Sequence, residues 1–347
     1  MFKIQTSAKR FDANKVNIIE NGRYPYVVRT SSNNGQKGFL DENESFLNAG
    51  NTISFGQDTA TIFYQEKPYF TGDKIKVLVP KVYKFNKKNA QFFLASMNIA
   101  FSKFSWGSSR FNVDVLKEQV IMLPTKCDSI DFEFMESFIE ELEAERIEEL
   151  EAYLSVSGLK DTQLTADELS ALDKFNSIKW KKFNLETLFG KSTRGKRLKG
   201  DDRIGGNLPF VTAGETDEGI SAFISNDVEI FSSNTTTIDM FGSAKYRNYN
   251  YGADDHIAVV HTENLSKYAA IFVTSACHKS AHNGDFSYSR NFYAKDADKL
   301  YISLPVKNEQ PDYELMSTLI SAIQKLVIAD VVKFSDEKIK ATKQVVG

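Results

Sequence analysis

The chain has 347 residues, 41% hydrophobic and 26% charged, with a formal net charge of −3. That length allows two domains with separate cores, and the balance excludes a disordered or fibrous chain. Two distant cysteines, Cys127 and Cys277, argue against a disulfide framework or a zinc knuckle, no apolar run approaches the ~20 residues of a membrane span, and the start MFKIQTSAKRF lacks a signal-peptide core, so a reduced, cytoplasmic protein is expected.

In chain order, residues 1–124 read as a mixed domain. Short β-rich runs lie at Tyr26–Val28, Thr52–Phe55, Thr61–Tyr64, Ile75–Val79 and Val120–Leu123. A helical pattern covers Asn89 to Phe104. Residues 125–157 carry a long amphipathic helix with an apolar stripe of Phe132, Met135, Ile139, Leu142, Ile147, Leu150 and Leu154. Residues 158–182 form a linker, with a short helix opening on a capping box at Thr165 and Glu168. A second domain, 183–305, has strands at Pro209–Val211, Glu229–Phe231, Ile257–Val260 and Lys299–Leu304, and a helix over Ser266–Ala276. Residues 306–347 form a second long helix striped by Met316, Ile320, Ile323, Val327, Val331 and Phe334.

The second half repeats the first. YPYVVRTSSNNGQKGFL, Tyr24 to Leu40, aligns without gaps on LPFVTAGETDEGISAFI, Leu208 to Ile224. QDTATI, Gln57 to Ile62, is matched with SNTTTI, Ser233 to Ile238, and Gly72-Asp73 with Gly252 and Asp254 or Asp255. Phe104-Ser105-Trp106 answers Phe286-Ser287-Tyr288, and Ser109-Arg110 answers Ser289-Arg290. Both copies close on Leu-Pro and a helix opening at Asp131 or Asp312. The period is too long for a solenoid, so whole domains are duplicated. The fold class expected is α+β: two tandem mixed α/β domains, each followed by a long helix, with the two helices packed as an antiparallel coiled coil.

Charge is segregated. Nine glutamates fall within residues 131–151 against Arg146 alone. Basic residues gather at Lys179, Lys181, Lys182, Lys191, Arg194, Lys196, Arg197, Lys199 and Arg203. Basic domains beside an acidic helix suit a protein that holds a polyanion with one part and another partner with the rest.

Catalytic patterns are missing. Gly190-Lys191-Ser192 lacks the glycine that opens a P-loop, because Leu185 stands there. His278 and His282 have helical spacing, but Lys279 replaces the metalloprotease glutamate. There is no G-x-S-x-G elbow and no adjacent proline pair. An enzyme reading would have to use scattered acids such as Asp254, Asp255 and Asp285 as a nuclease metal site.

Polar loop residues recur at matching places while their identities differ. Copy one offers Arg29, Ser31, Ser32, Asn33, Asn34, Gln36 and Lys37, then Gln57, Thr59, Thr61, Tyr64, Gln65 and Lys67, and finally Arg110. Copy two offers Lys196, Arg197 and Lys199, then Thr212, Glu215 and Thr216, then Asn234, Thr235, Lys245, Tyr246, Arg247 and Asn248, and finally Arg290. Such donors and acceptors read base edges, while Ser, Thr and Lys hold phosphates. A shared frame with different loops is what two readers of two short DNA sequences require.

The duplication, the F-x-[WY]-(x)-S-R segments, the terminal Leu-Pro and the following helices together resemble the specificity subunits of type I restriction–modification systems. The compact size is similar to the separate specificity subunits of type IIB systems. That resemblance implies two target-recognition domains, each reading half of a split site, and helices that set the gap. It also implies docking of a methyltransferase, or of a fused methyltransferase and endonuclease, to which Glu140, Glu141, Glu145 and Glu148 would contribute. S-adenosylmethionine and Mg would then belong to the partner, and this chain would hold no metal and no catalytic residue.

Overall fold

The computed structural model describes residues 1–102 and 113–346. The chain divides into two compact units, Met1–Glu151 and Ala152–Gly347.

In the first unit β1 (Phe2–Thr6) is followed by β2 (Tyr24–Val27), β3 (Gln36–Leu40), β4 (Thr52–Gly56), β5 (Ile62–Gln65), β6 (Phe70–Thr71) and β7 (Ile75–Pro80). Helices α1 (Ala90–Phe101) and α2 (Val113–Glu118) follow, then a hairpin of β8 (Thr125–Lys126) and β9 (Ser129–Ile130), then α3 (Phe132–Val156). One sheet has the order β1-β7-β4-β5 and a second the order β3-β2-β6. Helix α1 lays Phe93, Met97 and Phe101 on Ile53, Phe55, Ile62 and Leu78 of the first sheet. Their spacing of four residues puts all three on one helix face.

The second unit opens with α4 (Ala166–Asp173), β10 (Trp180–Asn184), α5 (Leu185–Phe189) and β11 (Thr193–Arg194). It continues through β12 (Gly205–Val211), β13 (Ile220–Ile224), β14 (Thr235–Asp239), β15 (Ala244–Arg247), β16 (Gly252–Ala253) and β17 (Ile257–Val260). Helices α6 (Lys267–Ala281) and α7 (Ala294–Asp298), strands β18 (Tyr301–Lys307) and β19 (Gln310–Pro311), and α8 (Tyr313–Val346) complete it. Its sheets, β11-β17-β14-β15 and β13-β12-β16, repeat those of the first unit. A third sheet, β10-β18-β19, begins within the segment 158–182 that the sequence reads as linker. The capping box of that segment forms: Thr165 Oγ1 accepts from Glu168 N–H and Glu168 accepts from Thr165 N–H.

The ungapped match is kept in three dimensions. Pro25 faces Phe39 across β2 and β3 as Pro209 faces Phe223 across β12 and β13. The tight turn between these strands runs left-handed in both copies, with φ of 77° at Gly35 and 80° at Gly219, which a residue with Cβ resists. The match of Gln57–Ile62 with Ser233–Ile238 is corrected. Strand β14 repeats β4, so Asn51-Thr52 corresponds to Asn234-Thr235. Thr52 bonds the Tyr69 hydroxyl as Thr235 bonds that of Tyr251. Tyr64 donates to Asn51 as Tyr246 donates to Asn234, both at 2.9 Å. Gly72 likewise corresponds to Asp254, since their N–H groups donate to Val27 and Val211. The Phe104–Trp106 and Ser109-Arg110 segments lie outside the described residues.

Two expected strands are not formed. Val120–Leu123 joins no strand among the described residues, and Glu229–Phe231 makes one bridge, from Phe231 to Tyr251. Both long helices begin on the same joint. Asp131 N–H donates to the Pro124 carbonyl and Asp312 N–H to that of Pro305, each at 2.9 Å. Their carboxylates then cap Phe134 N–H and Leu315 N–H, an N-cap that satisfies an otherwise orphan donor. The apolar stripes start inside their own domains rather than on another helix. Phe132 and Met135 enter the first core and Met316 the second. Further along, Phe138, Leu142, Val327 and Phe334 are exposed. Contrary to the sequence expectation, Tyr313–Lys340 of α8 is long and apolar enough to cross a membrane. Yet its Met316, Leu319 and Ala322 are fully buried in the domain, and its Lys325 pairs with Asp161 and Glu168.

Candidate nucleic-acid interface

In the first unit, the loops after β2 and β4 converge on one open groove of about 1060 Å³. Arg29, Ser32, Gln36, Lys37 and Thr59 line it, as the sequence expects, and Arg10 joins them. Sequence reasoning misses Arg10 because it lies ahead of the matched loops, between β1 and β2. Phe11 N–H, hydrogen-bonded to the Thr71 carbonyl at 3.0 Å, is what brings it to the groove. Arg10 pairs with Asp73 at 3.6 Å, and Arg29 is held by Asp58 at 2.6 Å. Lys74 bonds Asp58 as well and, with Arg29, keeps that carboxyl below its usual range. The lining thus sets Arg10, Arg29 and Lys37 against Asp12 and Asp73, with both arginines held by acids. Ser31 and Lys67 are exposed nearby in sequence, as is Asn33, whose amide bonds the Gln36 carbonyl. Gln57 is half-buried, and the Thr61 hydroxyl is shared with Thr59.

One expected reader of this copy is structural, and two others are tied into the same network. Gln65 is buried, and its amide nitrogen donates to the Asn34 carbonyl and to Ser54 Oγ, both at 3.1 Å. The Asn34 side chain donates back to the Tyr64 carbonyl, and the Tyr64 hydroxyl is committed to Asn51. Gln65, buried, is thereby withdrawn from base contact, while Asn34 remains exposed. Arg110 lies outside the described residues.

In the second unit, the segment after β11 corresponds to the one carrying Arg10. Lys196 N–H donates to the Ala253 carbonyl at 3.1 Å. Gly195 is required there, since a Cβ would stand 1.7 Å from the Ala253 oxygen. Lys196 and Lys199 are exposed. Arg197 is tied to Asp254 at 3.4 Å and Asp255 at 3.7 Å. Thr212 is half-buried at the end of β12, with Glu215 and Thr216 exposed beyond it. Lys245 spans Glu215 at 3.3 Å and the buried Asp239 at 3.9 Å. Ser243 and Lys245 hold the Glu215 carboxyl below its usual range. Asn248 and Arg290 are exposed, Arg290 lying over the Phe286 ring.

Here too the structure removes candidates. Arg247 is buried, donating to Thr237 Oγ1, the Glu218 carbonyl and the Tyr249 hydroxyl at 2.9 Å each. Thr235 is fully buried, while Asn234 is bonded to Tyr246 and to the Glu263 and Leu265 carbonyls.

Asp254, Asp255 and His256 place ligand atoms within 4.8 Å of one another, the grouping among the described residues with metal-like spacing. Arg197 compensates both carboxylates, and Asp254 also accepts from Leu198 N–H. Asp285 is engaged by Asn283 in an exposed turn. Cys277 is wholly buried, its thiol pushed up to about 12 by burial, and His278 Nδ1 accepts from Ala244 N–H. Glu140, Glu141, Glu145 and Glu148 are exposed on α3, with Glu140 paired to Lys88 of the same unit.

The chain matches the family model for the type I restriction modification DNA specificity domain over residues 1–152 and 177–333. It is 26% identical over 328 residues to the specificity subunit S.BcgI of a type II restriction enzyme from Heyndrickxia coagulans, covering 92% of this chain and 91% of that one. Its fold is similar to the crystal structure of a type I restriction–modification S subunit from M. genitalium. The TM-score there is 0.61 at 16% identity, over 99% of this chain and 91% of that one. With two matched segments falling on two copies of one fold, the chain belongs to the family of restriction–modification DNA specificity subunits.

Proposed function

We propose that this chain selects the DNA target of a restriction–modification complex, each domain reading one half of a bipartite double-stranded site. The observation that carries this reading is the pair of domains with one internal scaffold and different exposed polar residues. Arg10, Arg29, Gln36 and Lys37 serve the first reader. Lys196, Lys199, Thr216, Asn248 and Arg290 serve the second. Buried polar groups hold the loops, and exposed ones meet the bases.

In this reading α3 and α8 pack as an antiparallel coiled coil that sets the distance between half-sites. The acidic face of α3 docks a methyltransferase, or a fused methyltransferase and endonuclease. That partner carries S-adenosylmethionine and Mg, this chain contributes no catalytic group, and the complex works in the cytoplasm. Among the described residues the acids best placed for catalysis are compensated by Arg197, which supports recognition over nuclease chemistry.

The test is methylome sequencing of cells carrying this chain with its neighbouring methyltransferase gene. The expected result is one split motif that disappears when this chain is deleted. A motif unchanged by the deletion would overturn the reading.

A further inference from the structure

The two domains differ in charge at one matched place. In the second, Glu215 stands just ahead of the left-handed turn, its side chain 70% exposed, and accepts from Lys245 Nζ at 3.3 Å. The lysine itself is mostly buried. Its ammonium also donates to Ser243 Oγ at 2.9 Å and stands 3.9 Å from the Asp239 carboxylate. Asp239 is buried, and its Oδ1 accepts from the N–H groups of Phe241 and Ser243. Its Oδ2 has no hydrogen-bond partner among the described residues. The lysine charge thus answers a buried acid on one side and holds an exposed acid on the other.

The scaffold does not require this trio. By the register of the repeat, Glu215 corresponds to Ser31, Asp239 to Gly56 at the end of β4, and Lys245 to Phe63 in β5. The first domain forms the same strands and turns with no charge at any of the three places. Burying a carboxylate and most of a lysine costs hydration, so the trio serves something other than the shared fold. Its place is that of the reading loops. In the first domain Ser32, beside the counterpart of Glu215, and Thr59, in the turn that corresponds to Met240–Ser243, both line the open groove.

We infer that Glu215 reads a cytosine in the half-site of the second domain, its carboxylate accepting from the 4-amino group in the major groove. The inference rests on the DNA-reading assignment. A lone carboxylate would be repelled by the phosphates; Lys245 offsets that charge and, with Asp239 behind it, fixes where the carboxylate stands. An ionised carboxylate offers roughly four lone-pair sites, so the bonds to Lys245 and Ser243 leave acceptor capacity for a base. In the major groove the amino donors are cytosine N4 and adenine N6. Beside adenine N6 stands N7, an acceptor that repels a carboxylate, whereas cytosine presents its amino group alone.

The probe is a randomised duplex pool, selected by the full complex of this chain with its methyltransferase. The parent should select a split motif with cytosine at one fixed position of one half. Glu215→Gln should move that position toward adenine, since glutamine bonds N6 and N7 together, and leave the other half unchanged. Replacing the cytosine by 2-pyrimidinone, which lacks only the amino group, should weaken parent binding roughly 5- to 150-fold, while Glu215→Ala should bind the two duplexes alike. Asp239→Gly combined with Lys245→Phe, the first domain's residues at those places, should stay folded in thermal melts and broaden the choice at that position alone. An unchanged motif in Glu215→Gln, or equal loss by parent and Glu215→Ala on the pyrimidinone duplex, would overturn the inference while the DNA reading stood. Unfolding of the double variant would also overturn it, for the trio would then belong to the scaffold. No split motif selected by the parent would remove the DNA reading itself, and this inference with it.

Discussion

Gln65 and Arg247 occupy the same place in the two domains and make the same two bonds. Each reaches a hydroxyl on the neighbouring strand, Ser54 or Thr237, and the carbonyl of the left-handed turn residue, Asn34 or Glu218. A neutral amide and a guanidinium thus solve one problem: tying the exposed turn to the buried sheet.

Arg247→Ala should therefore destabilise the second domain. It removes a buried side chain and strands three acceptors, a loss of roughly 2–4 kcal/mol. Arg247→Gln, which borrows the sister domain's solution, should recover part of that. Urea denaturation of the two variants beside the parent checks the order; equal loss in both would contradict the shared role.

The cationic residues of the second domain separate into two kinds. Replacing Lys196 and Lys199 with alanine should lower the slope of log K against log salt by roughly 0.9 for each phosphate no longer neutralised. Arg197→Ala should instead reduce stability, because it leaves the buried Asp254 uncompensated. Binding titrations at several salt concentrations, with thermal melts alongside, distinguish these effects.

Acid should loosen the contact between α4 and α8. Bonds from Ser321, Thr165 N–H and Lys325 hold Glu168 at about 2, below its ordinary 4.5. The unfolded chain then binds the proton more readily. This stabilisation is complete above about pH 4.5 and is lost as pH falls toward 2. Glu168→Gln should be less stable at neutral pH and show a shallower decline across that window. Urea midpoints measured from pH 6 downward test it; parallel curves for the two proteins would refute the assignment.

Exchanging Arg10, Arg29, Gln36 and Lys37, with Gln65 and Tyr64 kept, should alter one half of the recognised site. Each base-edge contact is worth roughly 1–3 kcal/mol of discrimination. Selection from a randomised DNA pool reads both halves, and a change in both would defeat the independence of the two readers.

A 25-residue α3 is about 37 Å long at 1.5 Å per residue. As the proposed ruler, it corresponds to half-site centres about one DNA turn apart. Four residues inserted within Glu140–Glu149 add about 6 Å and should widen the gap by one or two base pairs while both half-sites persist. An unchanged gap in the methylome would mean that another element sets the spacing.

Much of the architecture is legible in the sequence because the strands around Pro25 and Pro209 keep strict register and their glycines need left-handed backbone. The threonine-rich stretch misregisters because SNTTTI resembles QDTATI more than it resembles GNTISF, its true counterpart. The invariant link is instead the Asn-to-Tyr bond, Asn51 to Tyr64 and Asn234 to Tyr246, which composition does not reveal. Gln65 and Arg247 read as base contacts because a polar residue in a loop-flanking strand looks the same whether it faces solvent or a carbonyl. Only tertiary burial separates the two. The long stripes on α3 and α8 are plain in the sequence, but periodicity says which face is apolar, not what covers each turn.

The bond from Asp131 to Pro124, repeated from Asp312 to Pro305, makes the end of each domain a standard coupling. Whatever loops a domain carries, its helix leaves from the same carbonyl and with the same cap. A gene exchange with its crossover at the Leu-Pro pair would replace the reading surface and leave the helix untouched. The duplicated coupling makes the domains interchangeable parts, so new target preferences can arise by reassortment of whole readers rather than by gradual remodelling of one.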